Sequence, residues 1–120
     1  MAWLMVAGGS ALGAVLRYWL IFAVDRHLVD HWPLGTLLVN VSGAFALALV
    51  AGLAWPAVSH WQLALIAVIG SYTTVSGFAL DTLQLWRSAR PLAALLNIAL
   101  SLLLSLLVLS VTLAVCGVSV

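Results

Sequence analysis

Long apolar runs separated by short polar clusters make up the chain. The first runs from about Ala2 to Val24 and stops at a polar turn holding Asp25, Arg26, His27, Asp30 and His31. A second begins after Trp32-Pro33, proline being suited to the first turn of a helix. It continues to about Trp55, where Pro56 and the stretch to His60 close it. A third covers 61–87, and a fourth opens at Pro91 and reaches about Gly117. Each meets the roughly 20 apolar residues that a helix needs to cross a bilayer. The pattern predicts an all-α integral membrane fold, a single domain over 1–120 with four transmembrane helices at about 2–24, 34–55, 61–87 and 91–117. Connections are short, so neighbouring helices run antiparallel. Trp3, Trp19, Trp32, Trp55, Trp61 and Trp86 lie mostly near predicted ends, as an interfacial belt requires.

The third run is interrupted. Trp61–Trp86 has no basic side chain, yet its centre reads Gly70-Ser71-Tyr72-Thr73-Thr74-Val75-Ser76-Gly77-Phe78. Hydrocarbon tolerates loosened backbone only where protein buries it or a wet cavity bathes it. Broken helices in membranes are also where transporters and channels place ion sites, because unwound carbonyls and amides become ligands. A glycine kink with hydroxyls bonded back to their own helix would explain one or two such residues. Two glycines and four hydroxyl residues besides the tyrosine favour a site and a helix broken mid-membrane.

Composition agrees with the hydropathy pattern. The chain is 66% hydrophobic and 6% charged, with a mean hydropathy of +1.27, which excludes an ordinary soluble domain. A net charge of +1 with no lysine leaves no electrostatic footprint for nucleic acid. The lone Cys116 cannot form an internal disulfide and carries no metal signal. The start, Met1 to Val6, lacks a basic segment, so the first run is expected to be a span and not a cleaved signal peptide. Nothing in the pattern suggests an enzyme.

Polar residues within the other runs are sparse and aligned. Thr36, Asn40 and Gly43 share one helical face at i, i+4 and i+7, and Asn97, Ser101 and Ser105 are spaced by four, with Thr112 a further heptad along. A serine in a membrane helix is usually satisfied by its own backbone. Asparagine is not, which leaves interhelical hydrogen bonding or a hydrophilic path for Asn40 and Asn97. Two stripes beside a broken helix suit a narrow path. No acidic residue lies inside the first, second or fourth run, which argues against proton antiport and against a carboxylate-ringed cation channel. Arg17, near the end of the first run, either snorkels to the headgroups or faces water and attracts anions. Amide, hydroxyl and aromatic-edge donors would replace the hydration shell of a small anion without a fixed countercharge to trap it. Asp81 would tune entry or pair with an arginine. Four helices are too few to enclose a pore, so oligomerisation is expected. Gly9-x3-Gly13 and Gly43, Ala44, Ala48 and Gly52 permit close packing either within or between subunits.

Three motifs together carry a family resemblance. Gly8-Gly9, Gly13-Ala14 and Arg17-Tyr18 come first. Pro33, Gly35-Thr36-Leu37, Val39-Asn40 and Gly43 follow, and then Gly70, Thr73-Thr74, Ser76 and Phe78. In this order, over nearly the whole chain, they resemble the CrcB/Fluc fluoride channels. The resemblance implies a passive fluoride-selective channel of the bacterial plasma (inner) membrane that lowers cytoplasmic fluoride and its toxicity. It implies an antiparallel, dual-topology dimer with two pores and a structural Na⁺ at its centre, not transported, held by backbone carbonyls at Gly70 and Thr73. It assigns Asn40 as anion donor, Thr36, Ser76, Ser101 and Ser105 to a polar track, Phe78 as an aromatic edge and Arg17 to a vestibule. Partners would be fluoride, membrane lipid and a second copy of the chain.

Four positions depart from the family pattern. Val75 stands where a first pore phenylalanine is usual, Gly77 where threonine is common, Ser71 where glycine is usual and Asn97 where tyrosine is frequent. Valine has no positive ring edge, so either the pore differs or a partner supplies the ring. Arg26, Arg87 and Arg90 lie on one predicted side and no Lys or Arg on the other, which the positive-inside rule reads as a fixed orientation with both termini outside. That bias favours a heterodimer with a sister chain, beside the homodimer that the resemblance implies. A small dual-topology transporter or an accessory subunit is the alternative. The first would need a membrane glutamate, and the chain has none; the second would leave Asn40 and the 70–78 run unexplained. His27-x3-His31 has helical spacing but no third strong ligand, so interfacial histidines are expected there.

Overall fold

The computed structural model describes residues 1–27, 32–54 and 59–117. Asp30, His31, Trp55 and Pro56 lie outside these residues. Five helices follow one another: α1 (Ala2–Asp25), α2 (Leu34–Ala54), α3 (His60–Tyr72), α4 (Val75–Arg87) and α5 (Pro91–Val115). α1 and α5 have 24 and 25 residues. At about 1.5 Å per residue each exceeds the roughly 30 Å thickness of bilayer hydrocarbon. α3 and α4 have 13 residues each, so each measures about 20 Å and is too short to cross alone. Together they form the third of four segments that are long and apolar enough to span a membrane.

α1 lies along α3 and α2 along α5, while α2 also touches α1, α3 and α4, and α4 turns onto α5. Missing side chains create the α1–α3 approach. A Cβ at Gly9 would fall 2.7 Å from the Ala64 carbonyl oxygen, and one at Gly13 would overlap the Val68 carbonyl and the Ser71 hydroxyl. The Gly9-x3-Gly13 pair therefore packs within the subunit, which its spacing alone had left open.

Burial runs opposite to that of a soluble bundle. Thr36, Gln62, Thr74, Asn97, Ser101 and Thr112 are buried, whereas leucines such as Leu103, 66% exposed, cover the outside. Lipid tails are as apolar as leucine, so helices in a bilayer are held by small residues and interhelical hydrogen bonds instead. This distribution, on four spans, is that of a multi-pass membrane protein.

The turns hold the helix ends by local chemistry. The Asp25 carboxylate accepts the Gly35 N–H at 2.8 Å, satisfying an amide in the first turn of α2. Gln62 reaches back to the Ser59 N–H at 2.6 Å, opening α3. α4 ends where Arg90 N–H donates to the Leu85 carbonyl and Ala89 N–H to that of Trp86, a closure that puts Ala89 at φ 57°. A hollow of about 510 Å³ lined by Pro33, Asp81, Gln84, Leu85, Ser88 and Arg90 joins the two turns at one end of the bundle. Arg26, Arg87 and Arg90 thus share that end.

Candidate functional site

The break between α3 and α4 is two residues wide. Thr73 (φ −72°, ψ 157°) and Thr74 (φ −149°, ψ 124°) are extended, a conformation that suits β-branched side chains. Gly70 and Gly77 belong to helices. The interruption is therefore made by the two threonines and not by either glycine of the 70–78 run. Among the described residues, no atom beyond its own stretch of helix lies within 4 Å of a Cβ built at Gly70.

All four backbone polar groups of the two threonines are satisfied. Thr73 N–H donates to the Ile69 carbonyl at 3.0 Å. The Thr73 carbonyl accepts from Arg17 Nη1 at 3.4 Å. Thr74 N–H donates to Asn40 Oδ1 at 2.9 Å, and the Thr74 carbonyl accepts from Asn40 Nδ2 at 3.1 Å. The Thr74 hydroxyl caps α4 by accepting the Gly77 N–H at 3.1 Å, the usual service of threonine at a helix start. It also pairs with Ser76 Oγ at 3.2 Å.

The Thr36–Asn40–Gly43 face of α2 meets this region at three successive points. Thr36 lies close to the Asp81 carboxylate, Asn40 holds Thr74, and Gly43 leaves room for Thr73 Cγ2, which a Cβ there would overlap. Asp81 Oδ2 is buried without a hydrogen-bond partner among the described residues. Asn97, 3% exposed, donates to Thr82 Oγ1 at 3.0 Å, and Thr82 in turn donates to the Phe78 carbonyl at 2.8 Å. It fastens α5 to α4.

Beside the break lies an open groove of about 430 Å³. It brings together Asn40, Gly70, Thr73, Phe78, Ser101 and Ser105, with Thr74, Val75 and two leucines of α5. Thr36, Ser76, Arg17 and Asn97 are not in its lining. All lining side chains are uncharged, and the groove adjoins the N-terminus of α4, the positive end of its dipole. Val75 is 80% exposed, with little among the described residues to cover it. Thr74, which the sequence reading did not single out, is central here. Its signal was a threonine directly ahead of a helical segment.

For a cation the chain offers neutral oxygens. The Gly70 carbonyl accepts from Thr73 Oγ1 at 3.3 Å and the Thr73 carbonyl from Arg17, which leaves each one lone pair, since a carbonyl has two. Such hard oxygen donors suit an alkali or alkaline-earth ion, and a single chain supplies too few. The Arg17 guanidinium on the Thr73 carbonyl is the feature that opposes a cation there. Among the described residues no group of three or more His, Cys, Asp or Glu forms a metal cluster.

Comparison with known proteins adds an independent line. Residues 4–117 match the family model described as "CrcB-like protein, Camphor Resistance (CrcB)". The chain is 40% identical over 110 residues to the fluoride-specific ion channel FluC 2 of Rhodopseudomonas palustris strain BisB18, covering 87% of this chain and 84% of that one. It is 39% identical over 112 residues to the fluoride-specific ion channel FluC of Aeromonas salmonicida strain A449, covering 87% and 86%. A second protein of the same R. palustris strain, FluC 1, is 37% identical over 103 residues, covering 81% and 73%.

Proposed function

The chain belongs to the CrcB family, and on that premise we propose that it forms a fluoride-selective passive channel of the bacterial plasma membrane that lowers cytoplasmic fluoride and its toxicity. The observation that carries this reading is the groove, where α2, α4 and α5 present amide, hydroxyl and aromatic groups of no net charge beside a broken helix. Fluoride is strongly hydrated, and such donors replace its water without holding it as a fixed cation would. Asn40, Ser101 and Ser105 supply hydrogen bonds and Phe78 a ring edge. Thr36 and Ser76 extend the polar track past the break, and Arg17 raises the local potential. That α3 and α4 are each too short to cross alone supports a break at membrane depth.

The groove is open on one side, and a second copy closes it in an antiparallel, dual-topology dimer. Gly70 and Thr73 from each copy would then hold Na⁺ at the centre through four carbonyl oxygens. Bound there, the ion would supply a fixed positive charge between the two broken helices. The uneven arginine distribution and the pair of channels in R. palustris favour a second arrangement, a heterodimer whose sister chain places a ring over Val75.

Anion efflux from liposomes containing only this chain tests both arrangements. Rapid fluoride efflux with chloride retained, independent of a proton gradient, is the expected result. Comparable chloride efflux or strict proton coupling would refute the channel reading. Efflux that appears only on adding a sister chain would replace the homodimer with the heterodimer.

A further inference from the structure

We infer that Asn40 is a positioning residue: its side-chain amide acts as a substitute peptide group that fixes the Thr73–Thr74 break and shapes the groove through Thr74. This deepens the channel reading and rests on it only where flux is measured.

The geometry is reciprocal. One residue of α2 accepts the Thr74 N–H and donates to the Thr74 carbonyl, at 2.9 and 3.1 Å, as a neighbouring strand would. In lipid, unpaired backbone groups cost several kcal/mol each, and the ordinary way to pair them is to continue the helix. Asn40 offers the alternative. Asparagine suits the task because its amide carries both an acceptor and a donor. Alanine has neither, and an ionised aspartate would set a second acceptor against the Thr74 carbonyl. A neighbouring member of the stripe acts on the same segment: Gly43 admits Thr73. After both bonds are made Asn40 retains one N–H, the only donor it can offer an anion in the groove. Its contribution to an ion path is thus first the position of Thr73 and Thr74, and second that single N–H.

The decisive measurement is amide hydrogen exchange across residues 70–78 of the full chain in detergent, alongside fluoride efflux from liposomes. Asn40→Ala and Asn40→Asp at neutral pH should each speed exchange from Thr74 into the first turn of α4 by about tenfold or more, while α5 keeps its protection. Acidification should restore protection in Asn40→Asp alone. Its neutral carboxyl can accept the Thr74 N–H and donate to the Thr74 carbonyl. Charged groups on the elements around the break are Arg17 and, at its end, Asp25 of α1, and Asp81 and, at its end, Arg87 of α4; α2 and α5 carry none and α3 has only His60 at its far end, so the parent chain serves as the control for their titration. Unchanged exchange at the break in Asn40→Ala overturns the inference, and if efflux is nonetheless lost, Asn40 acts only by touching the ion. Should Asn40→Ala unfold, exchange rises along α5 as well, and acid recovery in Asn40→Asp decides: recovery supports the role and its absence refutes it. If the parent chain passes no fluoride either alone or with a sister chain, the channel reading fails while the exchange result stands.

Discussion

If Gly43 seats Thr73 by lacking a side chain, one added methyl should dislodge the break and one removed methyl should restore it. A Cβ at Gly43 would sit on Thr73 Cγ2, far inside the roughly 3.5–4.0 Å at which carbon atoms make contact. Its next neighbours are Tyr72 Cδ1 at 3.4 Å and Thr73 Cβ at 3.6 Å, which are tolerable. Gly43→Ala should therefore cost about 1–3 kcal/mol as an overpacked site, reduced by up to about 1 kcal/mol because alanine is the better helix former. Thr73→Ser removes the colliding methyl and keeps both the hydroxyl that bonds the Gly70 carbonyl and the backbone path. The double variant should recover most of the loss, with a coupling energy of at least about 1 kcal/mol in a double-mutant cycle. Reversible unfolding in detergent measures the cycle, and fluoride efflux per reconstituted channel reports whether the groove returns with stability. Simple additivity of the two substitutions, or a fully active Gly43→Ala, would show that α2 does not seat the break at this point.

Other expectations follow from single contacts. Asn97→Ala should lower stability by about 0.6–1.7 kcal/mol, the range for interhelical hydrogen bonds in a membrane, with fluoride efflux per folded channel unchanged; a fall matching that of Asn40→Ala would put Asn97 on the ion path. Ala89→Gly should raise stability by about 1 kcal/mol, because Ala89 holds φ 57° at the end of α4, and a loss in thermal unfolding would mean that the turn takes another form. Replacing Na⁺ with a larger cation should lower the unfolding temperature, since a ligand of the native state stabilises it by mass action. Gly70→Ala should abolish that difference and weaken dimerisation even though its own chain leaves it free space. If neither substitution nor ion exchange has an effect, Gly70 is not at a subunit contact and the sodium assignment is wrong.

The four spans, and a fault in the third, were legible in the order of residues. Lipid forces every backbone group to be satisfied within its own segment, so hydropathy alone marks the helices, and a run of hydroxyls and glycines marks where that rule is under strain. The Thr36–Asn40–Gly43 stripe was also legible, because helical periodicity determines which residues share a face. Which partner each polar group takes was not. The break falls at Thr73–Thr74 and not at either glycine because Asn40, 34 residues away in sequence, supplies the bonds that the helix would otherwise make. Gly9 and Gly13 pack on α3, and Asn97 bonds Thr82 instead of lining the groove beside Ser101, through neighbours that spacing within one helix cannot specify. The same holds for Arg17, whose composition-level alternatives were headgroups or water and whose partner is the Thr73 carbonyl. An apolar segment can meet its obligations alone, whereas a buried amide, guanidinium or hydroxyl must find its complement on another helix, and only the packing of the helices determines which one is within reach.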